Sequence, residues 1–336
     1  MSTSFGSVPN LSMHSNRRPK TVHNLKRTNT MRNKQLIIGC LSFFSFFCTS
    51  ALAELKPLNA KGAYFGQTPP GLTPKVFAPG LVSTTNWEQN GVFTPDMNEY
   101  YFLREVELNG QLQQQFVVLK NIDNQWHEEV ISGRVGQPSI SPDGQTMHLG
   151  KRYKVRSNDT WSDIKALKSP FDAFRIMRMA SSRKGTWVFD EATRDGKGQL
   201  RFSQLVNGKR SAPKPFPKAI NTGQWNAHPF IAPDESYLIW DGQRDGDVRN
   251  ADLFISFRQP DGSWGEAIKF GDDINTPTSE AGARVSPDGK YLFFNRRVGY
   301  FDWTSPEGKT ETIPNTDVFW VDAKIIDELR LKANAR

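Results

Sequence analysis

Short apolar runs separated by polar turns set the pattern of this chain, and the clearest copy is Val285-Ser-Pro-Asp-Gly-Lys-Tyr-Leu-Phe-Phe-Asn295. Ser286-Pro287-Asp288-Gly289 predicts a hairpin turn, because Pro fixes φ at the second position, Asp favours the third and Gly accepts positive φ as the strand resumes. Residues 291–294 then predict a strand. The same turn recurs at Thr94-Pro95-Asp96, Ser141-Pro142-Asp143-Gly144 and Ala232-Pro233-Asp234, followed by β-forming runs that end at Phe102, Leu149 and Trp240. A fifth copy, Ser182-Arg183-Lys184-Gly185, has lost Pro and Asp but keeps the Gly and the apolar run after it. With Arg183 in the Pro column, successive turns are 47, 41, 50 and 54 residues apart, against the about 40–50 residues of one propeller blade.

A second landmark keeps the same phase. Trp126, Trp161 and Trp264 each follow a short polar turn, and Val206-Asn-Gly-Lys-Arg-Ser211 is a Trp-less version in the third unit. One unit therefore reads as strands over residues 226–231, 237–240, 252–257 and 264–270. The prediction is all-β: a single β-propeller of four-stranded blades, five by the count of turns, or six if residues 54–90 supply most of another. The Pro- and Gly-rich segment 54–90 has no Pro-Asp turn of its own, while residues 317–321 lack a following outer strand. Pairing 75–78 with 317–321 closes the ring and leaves no free sheet edge. Beyond the repeats of residues 91–321 the period changes: Ile325, Ile326 and Leu329 fall at helical spacing and predict a short C-terminal helix within 322–336, capping the seam.

With this repeat, residues 75–321 resemble the WD40-like β-propeller repeats of TolB-like periplasmic proteins. The resemblance implies a propeller, with six blades in that group, and an extracytoplasmic setting. It implies no particular activity, since such repeats carry turns and core while their members bind or catalyse different things.

Charge is distributed unevenly. Of 43 Lys and Arg, seven lie in residues 1–53, which hold no acidic residue. Met31-Arg-Asn-Lys34, the apolar stretch 36–47 and Ala51-Leu52-Ala53 read as a secretory signal peptide starting at Met31 and cleaved before Glu54, with no membrane span after cleavage. The rest carries 36 basic against 35 acidic residues, which gives no electrostatic reason to expect nucleic acid. Both cysteines, Cys40 and Cys48, leave with the leader. The expected location is periplasmic or secreted.

Candidate chemistry must sit where the copies differ. The residue four before each turn's first position lies on the first strand, which lines a propeller's channel. This column reads Asn90, Gln137, Arg178, His228 and Gly282, and Glu280 lies two residues before the Gly. Asn90, Gln137, Arg178, His228 and Glu280 are the predicted channel site. The resemblance extends to the oligogalacturonate lyases, propellers holding a metal on several histidines, but only His127, His148 and His228 remain here and they fall in different strands. Asp241, Asp245, Asp247 and Asp252 have oxygen ligands at intervals suggestive of calcium, yet not at EF-hand spacing, so no cofactor is expected. Trp87, Trp225, Tyr300 and Trp303 are expected in loops, available to a sugar or peptide. The function expected is non-catalytic binding of a protein, cell-envelope or carbohydrate partner; the alternative is a channel-site hydrolase or lyase acting on a carbohydrate.

Overall fold

The computed structural model describes residues 55–243 and 250–334; the leader read over 1–53 lies outside them. The described residues form a five-bladed propeller of antiparallel sheets whose first strands line a central channel. From the channel outward, the first blade runs Glu88–Phe93, Glu99–Leu108, Gln111–Ile122 and Gln125–Gly133. The second runs Pro138–Ile140, Thr146–Leu149 and Arg152–Ser157, edged by Thr160–Trp161 and Lys165–Ala166. Met179–Ser181, Trp187–Asp190, Leu200–Ser203 and Lys214–Pro215 make the third, and Gln224–Ile231, Tyr237–Gln243, Asp252–Phe257 and Ile268–Lys269 the fourth. The fifth comprises Glu280–Val285, Tyr291–Thr304, Thr310–Asp322 and, as its outermost strand, Lys75–Val76. The first blade begins at Glu88, ahead of the repeat boundary expected at 91, because its inner strand precedes its turn. In the fourth blade the outer strand is shorter than expected, with Trp264 outside it and bridged to Arg258.

The turns show why the motif persists. In the fifth blade the Ser286 hydroxyl donates to Asp288 Oδ1 at 2.7 Å, accepts the Tyr291 amide at 3.0 Å, and the Lys290 amide donates to Asp288 at 3.2 Å. Side chains thus satisfy backbone donors that a bare turn would leave to solvent. Thr94 and Asp96 repeat the arrangement, with Met97 at φ 61° in place of glycine. Where the third blade has lost its Asp, Ser182 donates instead to Glu235 of the fourth blade's turn at 2.7 Å, while still accepting the Thr186 amide. One decayed turn is therefore repaired by its neighbour.

The N-terminal segment closes the ring, and by more than the single strand expected. Lys75 pairs with Trp320 and Val76 with Phe319, and the Phe77 amide donates to Val318 O at 2.8 Å. Upstream, Lys56–Lys61 adds a fifth strand to the outside of the first blade. Between the two, Tyr64 and Phe65 take left-handed backbone and drop their rings into the seam. There they meet Phe77, Phe93, Tyr100, Phe293 and Trp320, and the Tyr64 hydroxyl bonds Asp288 at 2.7 Å. Phe77 is wholly buried, edge-on to Phe293 at 4.9 Å and to Trp320 at 5.1 Å. One segment thus straps the first and last blades together through hydrogen bonds outside and aromatic packing inside.

The C-terminal helix, α1 (Lys324–Asn334), buries Ile326 and Leu329. It packs on Phe257 and Ile255 of the fourth blade and Phe294 and Phe319 of the fifth. It therefore covers the junction of those blades rather than the closing seam, because the seam is already filled by the N-terminal aromatics. Among the described residues no helix is long and apolar enough to cross a membrane.

The closure generates a stability prediction. Phe77→Ala is expected to cost about 3–5 kcal/mol, the usual loss for deleting a fully buried aromatic, and a chain beginning after Ala78 is expected to aggregate through the exposed strand edge. Urea unfolding and light scattering check both; a soluble, cooperatively folded truncation would contradict the closure.

A second prediction concerns His148, buried in Thr146–Leu149 and edge-on to Trp187 at 5.3 Å. Neither ring nitrogen has a partner. Burial, and then the Arg210 guanidinium stacked on Trp187, push its pKa down to about 4. Because the folded state refuses a proton that the unfolded chain accepts, stability should fall by about 3 kcal/mol as pH drops from about 6.5 to about 4. His148→Leu should flatten that part of the pH–stability curve; urea midpoints with the same acid slope in both proteins would contradict it.

Candidate functional site

The channel site begins with a backbone irregularity. In three inner strands the column residue has left-handed φ: Asn90 at 60°, His228 at 48° and Gly282 at 66°. At each, the pairing with the second strand slips, between Gln89 and Val92, Ala227 and Phe230, and Ala281 and Arg284. This is a bulge, and the left-handed residue turns its amide away from its own sheet. Each freed amide is taken by a side chain on the second strand of the preceding blade. His228 N donates to Asp190 Oδ2 at 3.0 Å, Gly282 N to Asp241 Oδ1 at 2.8 Å and Asn90 N to Asn295 Oδ1 at 3.2 Å. Asn and Gly tolerate this conformation, but His at positive φ costs about 1–2 kcal/mol, so its environment must hold it there.

That environment is a hydrogen-bonded chain. His228 Nδ1 lies 3.0 Å from both Asp241 carboxylate oxygens, and Nε2 lies 3.0 Å from the Gln137 amide. Nδ1 is thereby the protonated nitrogen, donating to Asp241. Burial pushes the imidazole pKa down, but the Asp241 carboxylate, joined by Asp190, more than offsets this and holds it above its ordinary value. Gln137 turns its Nε2 toward the ring, and its carbonyl Oε1 is buried without a partner. The Asp190 carboxylate, fully buried, accepts the Met177 and Arg178 amides on its other oxygen.

Two arginines complete the interior. Arg178 is 1% exposed and its Nη1 donates to Ala283 O at 3.3 Å. Burial lowers its pKa to about 10, against the pull of Asp241 and Asp190, so it stays a cation at neutral pH. Arg284 is 5% exposed and donates from Nη2 to Gly282 O at 3.1 Å and Asn90 Oδ1 at 3.4 Å. Burial and the neighbouring Arg178 charge hold its pKa well below the usual arginine value. Gly282 leaves the room these groups need: a Cβ there would lie 2.6 Å from Asn295 Nδ2 and 3.3 Å from Asn90 Oδ1.

Of the five residues predicted from sequence, Gln137 and His228 bond directly, Arg178 shares the Asp190 anchor with His228, and Asn90 joins through Arg284. Glu280 does not join them. Its carboxylate accepts the Thr276 amide and hydroxyl at 3.1 and 2.6 Å and pairs with Arg296 at 2.9 Å. Glu88 binds Thr84 identically at the matching place in the first blade, so this acid is a repeated tie at the start of the inner strand and is withdrawn from the site. Sequence reasoning missed Asp190, Asn295 and Arg284. Asp241 and Asn295 both stand eight residues after the turn Pro and end an apolar run with a polar side chain, a periodic signal like the turn itself.

Asp245 and Asp247 lie outside the described residues; Asp241 is engaged as above, and Asp252 pairs with Lys269 at 2.6 Å. Among the described residues no group of three or more His, Cys, Asp or Glu could hold a metal ion. The aromatics expected in loops are in strands: Trp225 within Gln224–Ile231, and Tyr300 and Trp303 within Tyr291–Thr304, whose hairpin extends past the blade. Trp87 bridges Thr316 beneath the Arg134 guanidinium.

Similarity to solved structures is distant. The chain is similar to TolB from Acinetobacter baumannii at 17% identity and TM-score 0.43, over 71% of this chain and 57% of that one. It is similar to a gluconolactonase from Xanthomonas campestris at 10% identity and TM-score 0.44, over 81% and 98% of the two chains. It is likewise similar to the catalytic domain of a GH62 α-L-arabinofuranosidase from Coprinopsis cinerea at 7% identity and TM-score 0.45, over 75% and 97%. No protein-family model matches the chain, and no curated protein matches it.

Proposed function

We propose that this protein is a non-catalytic binding module, exported by its leader, that takes part of a protein, cell-envelope or carbohydrate partner into the propeller channel. The observation that carries the reading is the convergence of unpaired polar groups there. Asn90 Nδ2, Tyr100 Oη, Gln137 Oε1, Arg178 Nε and Arg284 Nη1 are all buried without a protein partner. Buried polar groups are ordinarily satisfied, so such a concentration along one channel marks where a polar guest contributes the missing bonds. A cavity of about 430 Å³ leads to Arg178 and Arg284 from the turn end of the ring, within the size range of ligand pockets.

Binding fits these groups better than catalysis does. A general base needs a free nitrogen or carboxylate oxygen within reach of a substrate. His228 has both ring nitrogens engaged, Asp190 and Asp241 are bonded to backbone amides, and Glu280 is bonded to Thr276 and Arg296. Export rests on the basic and apolar leader ending at Ala51-Leu52-Ala53.

Native mass spectrometry of the protein from the extracytoplasmic fraction, mixed with fractionated envelope glycans and peptides, tests the reading. The expected result is a chain whose mass begins near Glu54 and carries a ligand recovered chemically unchanged. In Gln137→Ala, binding should weaken at least tenfold while unfolding free energy changes by about 1 kcal/mol. A ligand released as a different mass would indicate catalysis. No adduct, with the variant destabilised by more than about 3 kcal/mol, would make the channel a structural plug.

A further inference from the structure

The five turns that define the repeat also rim the mouth of one cavity. Pro95, Pro142, Arg183, Pro233 and Pro287, one from each blade, surround it, and Arg178 and Arg284 lie among its lining groups. At the single blade where the turn has lost its Pro, the replacement is the exposed cation Arg183. The walls between rim and interior include the half-buried apolar residues Val92, Ile140, Phe230 and Val285. The two interior guanidiniums are the unusual feature. Burying a cation is costly unless it is paired, yet neither Arg178 nor Arg284 is ion-paired among the described residues, and each keeps one buried N–H without a partner.

The nearest carboxylates do not resolve this. Asp190 accepts three backbone amides, and Asp241 accepts Gly282 N and the His228 ring. Both acids are thus engaged by backbone amides and the imidazole, and neither bonds an arginine side chain among the described residues. Beside Arg284, the Tyr100 hydroxyl is buried without a partner and packs so closely over Gly91 that any Cβ there would collide with it. Asn90 Nδ2 is a further unpaired donor. Arg178 Nε, Arg284 Nη1, Tyr100 Oη and Asn90 Nδ2 can all donate, which is the arrangement that recognises an oxyanion by charge-assisted bonds.

We infer that the channel receives an organic anion, its carboxylate or phosphate head bound by Arg178 and Arg284 with help from Asn90 and Tyr100, and its apolar body against Val92, Ile140, Phe230 and Val285. The inference rests on the channel's being a ligand site and specifies which chemistry that site selects. Asp234 and Asp288, on the same rim as Arg183, disfavour a guest that carries a second negative charge at its outer end.

Calorimetry on the full chain at low ionic strength with benzoate, phenyl phosphate and benzyl alcohol separates the possibilities. Benzoate or phenyl phosphate should bind at least tenfold more tightly than benzyl alcohol, and the tighter of the two identifies the head group. Arg284→Met should cut anion affinity at least tenfold and leave benzyl alcohol unaffected. Crystals of the unmodified protein soaked in phenyl phosphate should show the head between Arg178 and Arg284, a readout that stands even if the variant fails to fold. Equal binding of benzyl alcohol would overturn the anion inference while leaving the channel a binding site. Binding of none of the three, anion binding unchanged in Arg284→Met, or a phosphate located elsewhere would each overturn it as well.

Discussion

A propeller's blades are separate sheets, and no sheet ladder joins one to the next around the channel. At three of the five junctions a backbone amide is donated across the gap. A left-handed residue in the inner strand of one blade turns its N–H sideways, and an Asp or Asn on the second strand of the preceding blade accepts it. The bonds of Asn90 and Gly282 are buried, and those to Asp190 and Asp241 are charge-assisted, the class worth about 1.5–3 kcal/mol each. They also decide what the channel contains, because the residue that must adopt positive φ is the one presented to the interior. Asn90, His228 and Gly282 are at once hinge points of the bulge and the wall of the site.

Local charge explains the opposed behaviour of two histidines. His228 lies against Asp241 and Asp190 and gains proton affinity despite burial. His148, against Trp187 and near Arg210, loses it. The first contributes stability below its unfolded pKa that is lost as pH rises through its folded value; the second contributes stability above about 6.5 that is lost on acidification. The channel is therefore most positively charged under mildly acidic conditions, where the packing between the second and third blades is being weakened.

Much of the fold could be read in the chain because turn chemistry is local. Ser286-Pro287-Asp288-Gly289 specifies its own geometry, and its recurrence points to five blades, while the closing strand expected over 75–78 follows from the outer strand missing after 317–321. The channel column was readable for the same reason, since a fixed distance from the turn fixes depth along the inner strand. What sequence did not reveal was direction. Glu280 sits two residues from the column, but the bulge at Gly282 changes which way side chains face, so it bonds Thr276 and Arg296 instead. Arg284, on the far side of the same bulge, was passed over although it belongs to the channel. Asp241 was readable as a loop acid only because its partners, His228 and Gly282, are distant in sequence. Tyr64 and Phe65 lie in the Pro- and Gly-rich segment 54–90, and only the packing shows them filling the seam.

Native-state amide exchange measures the central tie directly. If the cross-blade bonds hold the ring, the amides of Asn90, His228 and Gly282 should exchange only through global unfolding, as slowly as those of Phe102 and Trp240 in the second strands, although each lies at a break in its own ladder. Exchange of these three amides through local opening, while the second strands stay protected, would contradict the account.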